Sequence, residues 1–254
     1  RFTPLSFPDR IRLGLLALKA RQVKDWRTLE NVTAADWLRS MGGERVYKVV
    51  WEPLLRGKFG DVAEEVSAVW FWNKLKLRGG SRGKGGAEQL AYYKGGFAAL
   101  ADAIADAVRE QGGEILTNSQ VSGLHVESGQ VKGVIVNGAI LPADAVISTP
   151  PLPVVADLVG HHAPADYREK LRRVRYIANI CIVLELNRSL SETYWLNVND
   201  PGFPFVGVIE HTNFIDPGNY QNRHIVYLSR YYAASEEIAG QDDETVIGIM
   251  LRSL

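Results

Sequence analysis

Residues 95–113, GGFAALADAIADAVREQGG, are the stretch that decides the fold. Apolar residues recur here at steps of three and four, which predicts one helix with a single apolar stripe. The stripe comprises Phe97, Leu100, Ala101, Ile104, Ala105 and Val108. A glycine pair precedes the helix, and Gly112 with Gly113 predicts its end, because glycine readily adopts the left-handed conformation of helix C-termini.

Four strand candidates follow this helix, and short turn signals separate several of them. Gly129-Gln130 and Asn137-Gly138 are typical of turns between antiparallel strands. The last candidate runs directly into Thr149, Pro150 and Pro151, so that two prolines fix the direction in which the chain leaves it. The four candidates are residues 113–118 (GEILTN), 120–128 (QVSGLHVES), 130–137 (QVKGVIVN) and 143–148 (ADAVIS).

The regions on either side of this middle block differ from it in their predicted secondary structure. Residues 1–78 are predicted to be helical, with capping signals at Ser6, Thr33 and Asp61 and with Pro53 inside one helix. A second helical tract follows residue 152. Long runs rich in β-branched residues then predict an antiparallel sheet, and a last helix starts near residue 242. The sequence therefore predicts an α+β fold.

Composition excludes several classes of protein. The 254 residues are 46% hydrophobic and 23% charged with a formal net charge of zero, which is typical of a globular protein and not of a nucleic-acid binder. No apolar run approaches the roughly 18 residues that a membrane span needs. The single cysteine, Cys181, lies in an apolar run and is predicted to be buried, and a reducing, cytoplasmic location is expected. The chain starts at Arg1 and ends inside a predicted helix, so an internal piece of a longer protein is expected.

The usual catalytic motifs are missing from the sequence. The five histidines have no metal-ligand spacing, and neither H-E-x-x-H nor G-x-S-x-G occurs, so no metal site is predicted. The glycine-rich residues 79–90, GGSRGKGGAEQL, lack the phosphate-loop pattern and are predicted to be a mobile loop. No catalytic residue can be assigned, and an enzyme of this kind would rely on a cofactor.

Residues 92–151 resemble one segment of the flavin-dependent amine oxidase superfamily, which includes protoporphyrinogen oxidases and phytoene desaturases. The shared pattern is a double glycine, a helix, Gly-Gly with a strand, a Val-x-x-Leu strand, a hairpin, and Ala-Asp-x-Val-Ile-x-Thr followed by proline. Each piece alone is weak, but all of them occur here in order. The resemblance implies FAD as cofactor.

The resemblance also implies which residues meet the cofactor. In this family the glycine pair starts a helix near the ligand, the valine strand meets adenine through its backbone, and the Thr-x-Pro strand end points at the flavin. The corresponding residues here are Gly95, Gly96, Val121, Ser148, Thr149 and Pro150. The alternative is purely structural: a tight turn, the first core residue of a strand, and a rigid strand exit.

The resemblance further implies a division of the chain. Residues 1–90 would be the helical part of a substrate domain, residues 91–155 part of the FAD domain, and residues 156–254 the sheet of the substrate domain. The glycine fingerprint G-x-G-x-x-G and the C-terminal flavin segment of the family do not occur here. The isolated chain is therefore expected to bind FAD weakly or not at all.

Substrate contacts are predicted from aromatic and polar clusters in the flanking regions. The four residues 210–213, EHTN, follow an apolar run and could line a pocket beside the flavin. Core packing of the aromatics and local backbone bonding of the polar residues are the alternatives. The candidates are Trp70, Tyr194, Glu210, His211 and Asn213.

The predicted function is that of a FAD-dependent oxidoreductase which removes a hydride from a C–N or C–C bond of a small or hydrophobic substrate. One alternative is a non-redox flavin enzyme such as a sugar mutase, for which Arg78, Arg82 and Lys84 are candidate diphosphate ligands. Another is a non-catalytic binding or membrane-surface module, since residues 9–27 are basic and partly amphipathic. We expect this segment to pack as an ordinary helix. The oligomeric state is not predicted.

Overall fold

The computed structural model describes residues 4–80, 90–233 and 235–254, with no side-chain description for 78–80. The chain divides into two compact units, Arg1–Gln89 with Ile177–Leu254 and Leu90–Tyr176. We call them the first unit and the second unit. The assignment of parts of the chain to a substrate domain and an FAD domain stays a prediction. Residues 81–89 of the predicted glycine-rich loop, with Arg82 and Lys84, lie outside the described residues, and Gly79 and Gly80 belong to the end of a helix. Among the described helices none is long and apolar enough to cross a bilayer.

Helices form the N-terminal part of the first unit, as predicted. Two of them begin at polar caps: the Asp9 N–H donates to Ser6 Oγ at the start of α1, and the Asp36 N–H donates to Thr33 Oγ1 at 3.1 Å at the start of α2. The helices are α1 (Phe7–Gln22), α2 (Ala34–Gly42), α3 (Glu44–Val46), α4 (Glu52–Phe59) and α5 (Ala68–Gly80).

Pro53 lies inside a helix, as predicted, whereas the prediction at Asp61 needs correction. A π-helical turn, Tyr47–Trp51, precedes α4, and this wider turn relieves the clash that Pro53 would cause in a regular helix. The helix predicted from Asp61 is instead a 3₁₀ helix, Gly60–Glu65, followed by α5. The break arises because the chain pairs there with the segment before α2, through the Ala34 N–H to Val66 C=O bond and the Ala68 N–H to Val32 C=O bond.

The helices enclose one apolar core. Its members are buried side chains from every helix except the short α3, and the indole N–H of Trp72 donates to the Ala20 carbonyl at 2.8 Å inside it. The buried members include Leu16, Leu29, Trp37, Leu38, Tyr47, Leu55, Phe71 and Trp72. Trp72 thus joins α5 to α1 by both packing and a hydrogen bond.

A four-stranded antiparallel sheet forms the rest of the first unit. The order is β4-β7-β6-β5, and β4 pairs with β7 from Ala178↔Tyr232 to Leu186↔His224. Helix α9 (Asp243–Leu251) buries Val246 and Met250 in the same apolar cluster as the inner sheet residues. The strands are β4 (Ala178–Leu186), β5 (Trp195–Asn197), β6 (Gly207–Glu210) and β7 (His224–Tyr232).

The prediction that Cys181 is buried is wrong. Strand β4 lies at the sheet edge, and its residues alternate between half-buried and exposed. Ile180 and Ile182 pack toward the core, so the intervening Cys181 faces outward and is exposed.

The second unit contains a three-stranded antiparallel sheet and three α-helices. The tight turns fall at Ser128-Gly129 and Asn137-Gly138, all four residues with positive φ, as two-residue hairpins require. The elements are α6 (Gly96–Glu110), β1 (Val121–Glu127), β2 (Gln130–Val136), β3 (Ala139–Pro142), α7 (Leu152–Val159) and α8 (Ala165–Arg172). Helices with separate sheets confirm the α+β class.

Two predicted strands of the second unit are not strands. Residues 113–118 and 143–148 lie outside both sheets. A strand needs a neighbour to pair with, and within the described residues the two segments make one backbone bond to a sheet, from the Ala143 N–H to the Lys132 carbonyl at 3.0 Å. The apolar stripe of α6 is also uncovered, since none of its residues is buried.

A small polar cluster ties the helices of the first unit together. Arg39 makes two hydrogen bonds to the Glu64 carboxylate, at 2.8 and 3.1 Å, and its guanidinium stacks over the Tyr47 ring. The Tyr47 hydroxyl donates to Glu64 at 2.9 Å. Burial, with the adjacent Glu64 carboxylate, raises the pKa of Tyr47 to about 12, so its hydroxyl stays a donor at neutral pH.

Replacing Tyr47 by Phe should lower the free energy of unfolding by about 1–2 kcal/mol, because a hydrogen bond to a charged acceptor is lost. Urea unfolding followed by circular dichroism measures this change. Tyr167→Phe on α8 is the matched control, since Tyr167 is exposed. Equal unfolding midpoints for Tyr47→Phe and the wild type would contradict the prediction.

Candidate functional site

Gly95 and Gly96 form the start of α6. Their φ values are 88° and 85°, which glycine adopts without strain. A Cβ at Gly95 would lie 3.2 Å from the Ala99 Cβ, and one at Gly96 would lie 3.7 Å from the Tyr92 hydroxyl oxygen. Within the described residues no side chain caps this helix. The Gly96 N–H already donates to the Tyr93 carbonyl at 2.9 Å. The N–H groups that follow it in the first turn are the ones a helix start offers to an anion or a polar ring edge.

Val121 begins β1 and pairs with Val136. Its side chain is 40% exposed, so it is not the first core residue that the structural alternative expects. The exposure leaves the valine side chain free to cover the face of a ligand. Its place at the strand start agrees with the sequence prediction.

Residues 143–150 form an extended, open segment. Ile147 is 92% exposed, and Ser148, Thr149 and Pro150 are exposed as well. The exit from the segment is fixed: the Val154 N–H donates to the Pro151 carbonyl as α7 begins, and the Leu152 N–H donates to the Tyr176 hydroxyl at 3.0 Å. The six predicted cofactor residues thus all lie in the second unit.

Glu210 ends β6 and is 3% exposed. Its carboxylate accepts hydrogen bonds from Ser191 Oγ, from Ser189 Oγ at 2.8 Å and from the Leu190 N–H at 2.9 Å. Burial alone would raise the pKa of this carboxyl, but the hydrogen bonds together hold the pKa below its ordinary range. Glu210 is therefore a buried anion that holds the loop of residues 189–191 against the sheet.

Asn213 and Tyr194 extend the same arrangement. The Asn213 amide donates to the carbonyls of Ser191 and Thr193, at 2.8 and 3.1 Å. The Tyr194 ring packs against Phe214 with centroids 5.0 Å apart, and its carbonyl accepts from the Glu210 N–H. Glu210 and Asn213 thus bond local backbone, which corresponds to the alternative considered from the sequence, and they set the position of Tyr194.

His211 is 4% exposed and follows Glu210 directly. Its Nε2 lies 2.8 Å from the Tyr220 hydroxyl, and its ring meets those of Tyr220 and Tyr227 edge to face. Burial lowers the pKa of His211 below its ordinary value, which favours the neutral imidazole.

Trp70 belongs to a different cluster. Its ring contacts Phe59 and Phe71, with centroids 4.9 and 6.2 Å away. Lys58 lies over three rings, those of Phe59, Trp70 and, at 4.7 Å, Tyr231. The structure thus joins Tyr194, Glu210 and Asn213 in one set of hydrogen bonds. The His211 side chain bonds to Tyr220 instead, and Trp70 lies in the packing between α4, α5 and β7.

Sequence reasoning missed several parts of the site. Ser189 and Ser191 lie about twenty residues before Glu210, to whose carboxylate they donate hydrogen bonds. Short sequence motifs do not span such a separation. An open cleft of about 570 Å³ was also missed, and it lies between β4, the segment after β7, and α9. Its lining includes Ile180, Cys181, Ile182, Tyr232, Ile238 and Val246. In the described part of the chain, no group of three His, Cys, Asp or Glu side chains is arranged to hold a metal ion.

Replacing Glu210 by Gln should destabilise the chain at pH 7 by about 1.5–3 kcal/mol, the worth of hydrogen bonds to a charged group. Because the folded-state pKa is depressed, this stabilisation is present above the unfolded pKa and is lost as the pH falls through the folded pKa. The difference in the free energy of unfolding between wild type and variant should therefore become smaller in acid. Urea unfolding at pH 7 and in acid measures it, with the exposed Glu192→Gln as control. A gap that is independent of pH would contradict the account.

Comparison with known proteins identifies the family to which the chain belongs. The family model of flavin containing amine oxidoreductases matches residues 1–254. No match was found among curated proteins. An oxidoreductase from Methanosarcina mazei is similar in structure, with 22% identity and a TM-score of 0.73 over 98% of this chain and 57% of that one.

Two further solved structures share the fold at lower identity. A reduced UDP-galactopyranose mutase has 15% identity and a TM-score of 0.63, over 97% of this chain and 56% of that one. A wild-type putrescine oxidase bound to putrescine has 14% identity and a TM-score of 0.60, over 98% and 58%. The chain thus spans less than two thirds of these structures, and the likeness concerns the fold alone. Because the family model covers all of its residues, the chain belongs to the flavin containing amine oxidoreductase family.

Proposed function

We propose that this chain is part of a FAD-dependent oxidoreductase that removes a hydride from a C–N or C–C bond of a small or hydrophobic substrate. The family match over all 254 residues is the observation that carries the proposal. A flavin implies a two-electron acceptor, so the protein has to position the donor bond, exclude water and set the local charge.

The second unit would hold the cofactor. Gly95 and Gly96 have no side chains and so allow a ligand to approach the start of α6 closely. Val121 offers a strand start with an exposed side chain. Ser148, Thr149 and Pro150 offer the exposed end of an extended segment. These groups suit a ligand with a polar ring edge and an apolar face, so the residues present fit a flavin dinucleotide.

The first unit would contact the substrate. Tyr194 and its exposed neighbour Trp195 supply aromatic surface, suited to an apolar or cationic group. Glu210 and Asn213 act as positioning residues for this pair, through the loop that they bind. Burial lowers the pKa of His211, which favours its neutral imidazole behind this pair.

The non-redox alternative gains no support from the described residues. Likeness to a mutase structure extends to the fold only. Of the cationic side chains that would hold a diphosphate, Arg82 and Lys84 lie outside the described residues. We propose a small-molecule substrate, no nucleic-acid partner and a cytoplasmic location for the enzyme.

Substitution at Gly96 in the full-length protein tests the cofactor assignment. Gly96→Val should lower the bound flavin per protein at least about tenfold, because a side chain at positive φ is strained and displaces the first turn of α6. The visible absorbance of the purified protein measures the flavin content.

Gly129→Val is the matched control. Gly129 also has positive φ, at 78°, and no atom of the described residues lies within 4 Å of the position that its Cβ would take. It should carry the same backbone strain and keep the flavin. Equal flavin content in the two variants would contradict the assignment of Gly96, and a full-length protein that neither carries nor takes up flavin would contradict the proposed function.

The isolated chain of 254 residues should bind FAD at least about a hundredfold more weakly than the full-length protein, because the chain lacks the glycine fingerprint that holds the pyrophosphate. Fluorescence titration of free FAD with each protein measures the two affinities. A purified chain with stoichiometric flavin would contradict this prediction.

A further inference from the structure

A side-chain hydrogen bond closes the loop that joins β6 to β7. This loop comprises residues 211–223, and we call it the β6–β7 loop. His211 is its first residue and Tyr220 lies near its end, and the His211 Nε2 lies 2.8 Å from the Tyr220 hydroxyl oxygen. The His211 ring also meets the Tyr220 and Tyr227 rings edge to face. Because His211 is buried, the bond is shielded from water.

The turn after Tyr220 is strained. Gln221 and Asn222 have φ values of 55° and 61°, in the left-handed region that residues with a side chain rarely adopt. A backbone bond holds the turn in this shape, since the Arg223 N–H donates to the Tyr220 carbonyl at 2.9 Å. Strain of this kind persists only where the surroundings impose it. The bond to His211 anchors Tyr220, and with it the strained turn.

The β6–β7 loop can open without the sheet. Every residue from 213 to 223 is exposed or half-buried, whereas Val226 and Leu228 of β7 are fully buried. A segment with few buried apolar contacts opens at a lower free-energy cost than a core strand. Opening also relieves the strain at Gln221 and Asn222, so the bond between His211 and Tyr220 opposes a turn that favours relaxation.

The same loop supports the residues that carry Tyr194. The Asn213 amide donates to the carbonyls of Ser191 and Thr193, and the Phe214 ring packs against the Tyr194 ring. A change in the position of the β6–β7 loop therefore changes the support of Tyr194.

Two neutral phenols face the His211 ring, Tyr220 from the loop and Tyr227 from β7. Glu210 of β6 precedes His211, but its carboxylate accepts its hydrogen bonds from residues 189–191. Charged side chains of the loop have other partners, which are the Gly218 N–H for Asp216 and Glu185 for Arg223. Histidine is the residue type whose charge ordinarily changes in mild acid, so His211 is the group in this cluster that takes up the proton.

A proton on His211 favours the open loop. Burial lowers the pKa of His211, because the charged imidazolium loses its hydration in the closed loop. The open loop therefore binds the proton more tightly than the closed one. The resulting preference for the closed loop is present above the pKa of the open state and is lost as the pH falls through the lower pKa of the closed state.

We propose that His211 and Tyr220 form an acid-sensitive latch on the loop that supports Tyr194. At neutral pH their bond is closed and holds the strained turn. When His211 gains a proton it moves into water, the turn at Gln221 and Asn222 relaxes, and the β6–β7 loop opens. The consequence for Tyr194 as a substrate contact rests on the proposed function, whereas the opening of the loop does not.

Hydrogen–deuterium exchange of the full-length protein at pH 7.5 and pH 5 tests the latch. After correction for the intrinsic effect of pH on exchange, the protection of residues 211–223 should fall at least about fivefold at pH 5, because the protonated histidine favours the open state. Residues 190–195 should lose protection together with the loop, and β7 should keep its protection. Circular dichroism at both pH values checks folding.

Variants assign the response to the latch. His211→Gln removes the titrating group but keeps a side chain that can bond to Tyr220, so the loop should be equally protected at both pH values. Tyr220→Phe removes the bond, so the loop should lose protection about fivefold already at pH 7.5. His224→Gln is the matched control, because His224 is half-buried at the other end of the loop, and it should keep the wild-type response.

Any of four outcomes overturns the proposal. They are equal loop protection at the two pH values in the wild type, an unchanged pH response in His211→Gln, wild-type protection in Tyr220→Phe, and loss of protection in β7 together with the loop. If His211→Gln does not fold, an NMR titration of the His211 ring in the wild type decides, since its midpoint has to coincide with that of loop opening. None of these measurements needs bound flavin, so failure of the latch is distinguishable from failure of the proposed function.

Discussion

Strand β7 is the element on which the first unit depends. It pairs with β4 over nine residues on one side and with β6 over four on the other. Its Val226 and Leu228 are fully buried, and the Ile225 N–H donates to Thr212 Oγ1, which fixes the turn after β6. The candidate substrate residues are thus positioned by the central strand of the sheet, and the loop that carries Tyr194 is positioned by Glu210 in turn.

The second unit differs from the first, because much of its apolar surface and of its backbone is not covered within the unit. The α6 stripe, residues 113–118 and residues 143–150 are all open. Apolar surface and unpaired extended backbone are costly in water. In the proposed function, the cofactor and further protein cover these surfaces. The exposed surfaces of the second unit therefore agree with its assignment to the flavin.

Local patterns in the sequence predicted most of the elements. The apolar residues at steps of three and four in residues 95–113 predicted α6. The turn residues predicted the β1–β2–β3 hairpins, and Thr33 predicted the start of α2. Pairing was not predictable, because it depends on a distant neighbour. Residues 143–148 have the composition of a strand, but within the described residues they bond to a sheet only through Ala143. Cys181 lies on a sheet edge that its apolar neighbours in the sequence did not reveal.

In the candidate site, too, local features were predictable from the sequence and long-range contacts were not. The residues 210–213 were found because they end an apolar run, but their bonding to Ser189, Ser191 and Tyr220 depends on loops that the sequence does not place. Helix α1 shows the limit of periodicity in another way. Apolar residues occupy both of its faces, so the pattern alone cannot tell the face against the core from the exposed one.

Hydrogen–deuterium exchange of the full-length protein, with and without bound FAD, tests the central claim most directly. The account predicts that FAD slows exchange at the first turn of α6, at the start of β1 and along residues 143–150, while β7 exchanges slowly in both states. Unchanged exchange in these three segments, with protection confined to other parts of the protein, would contradict the assignment of the second unit to the flavin.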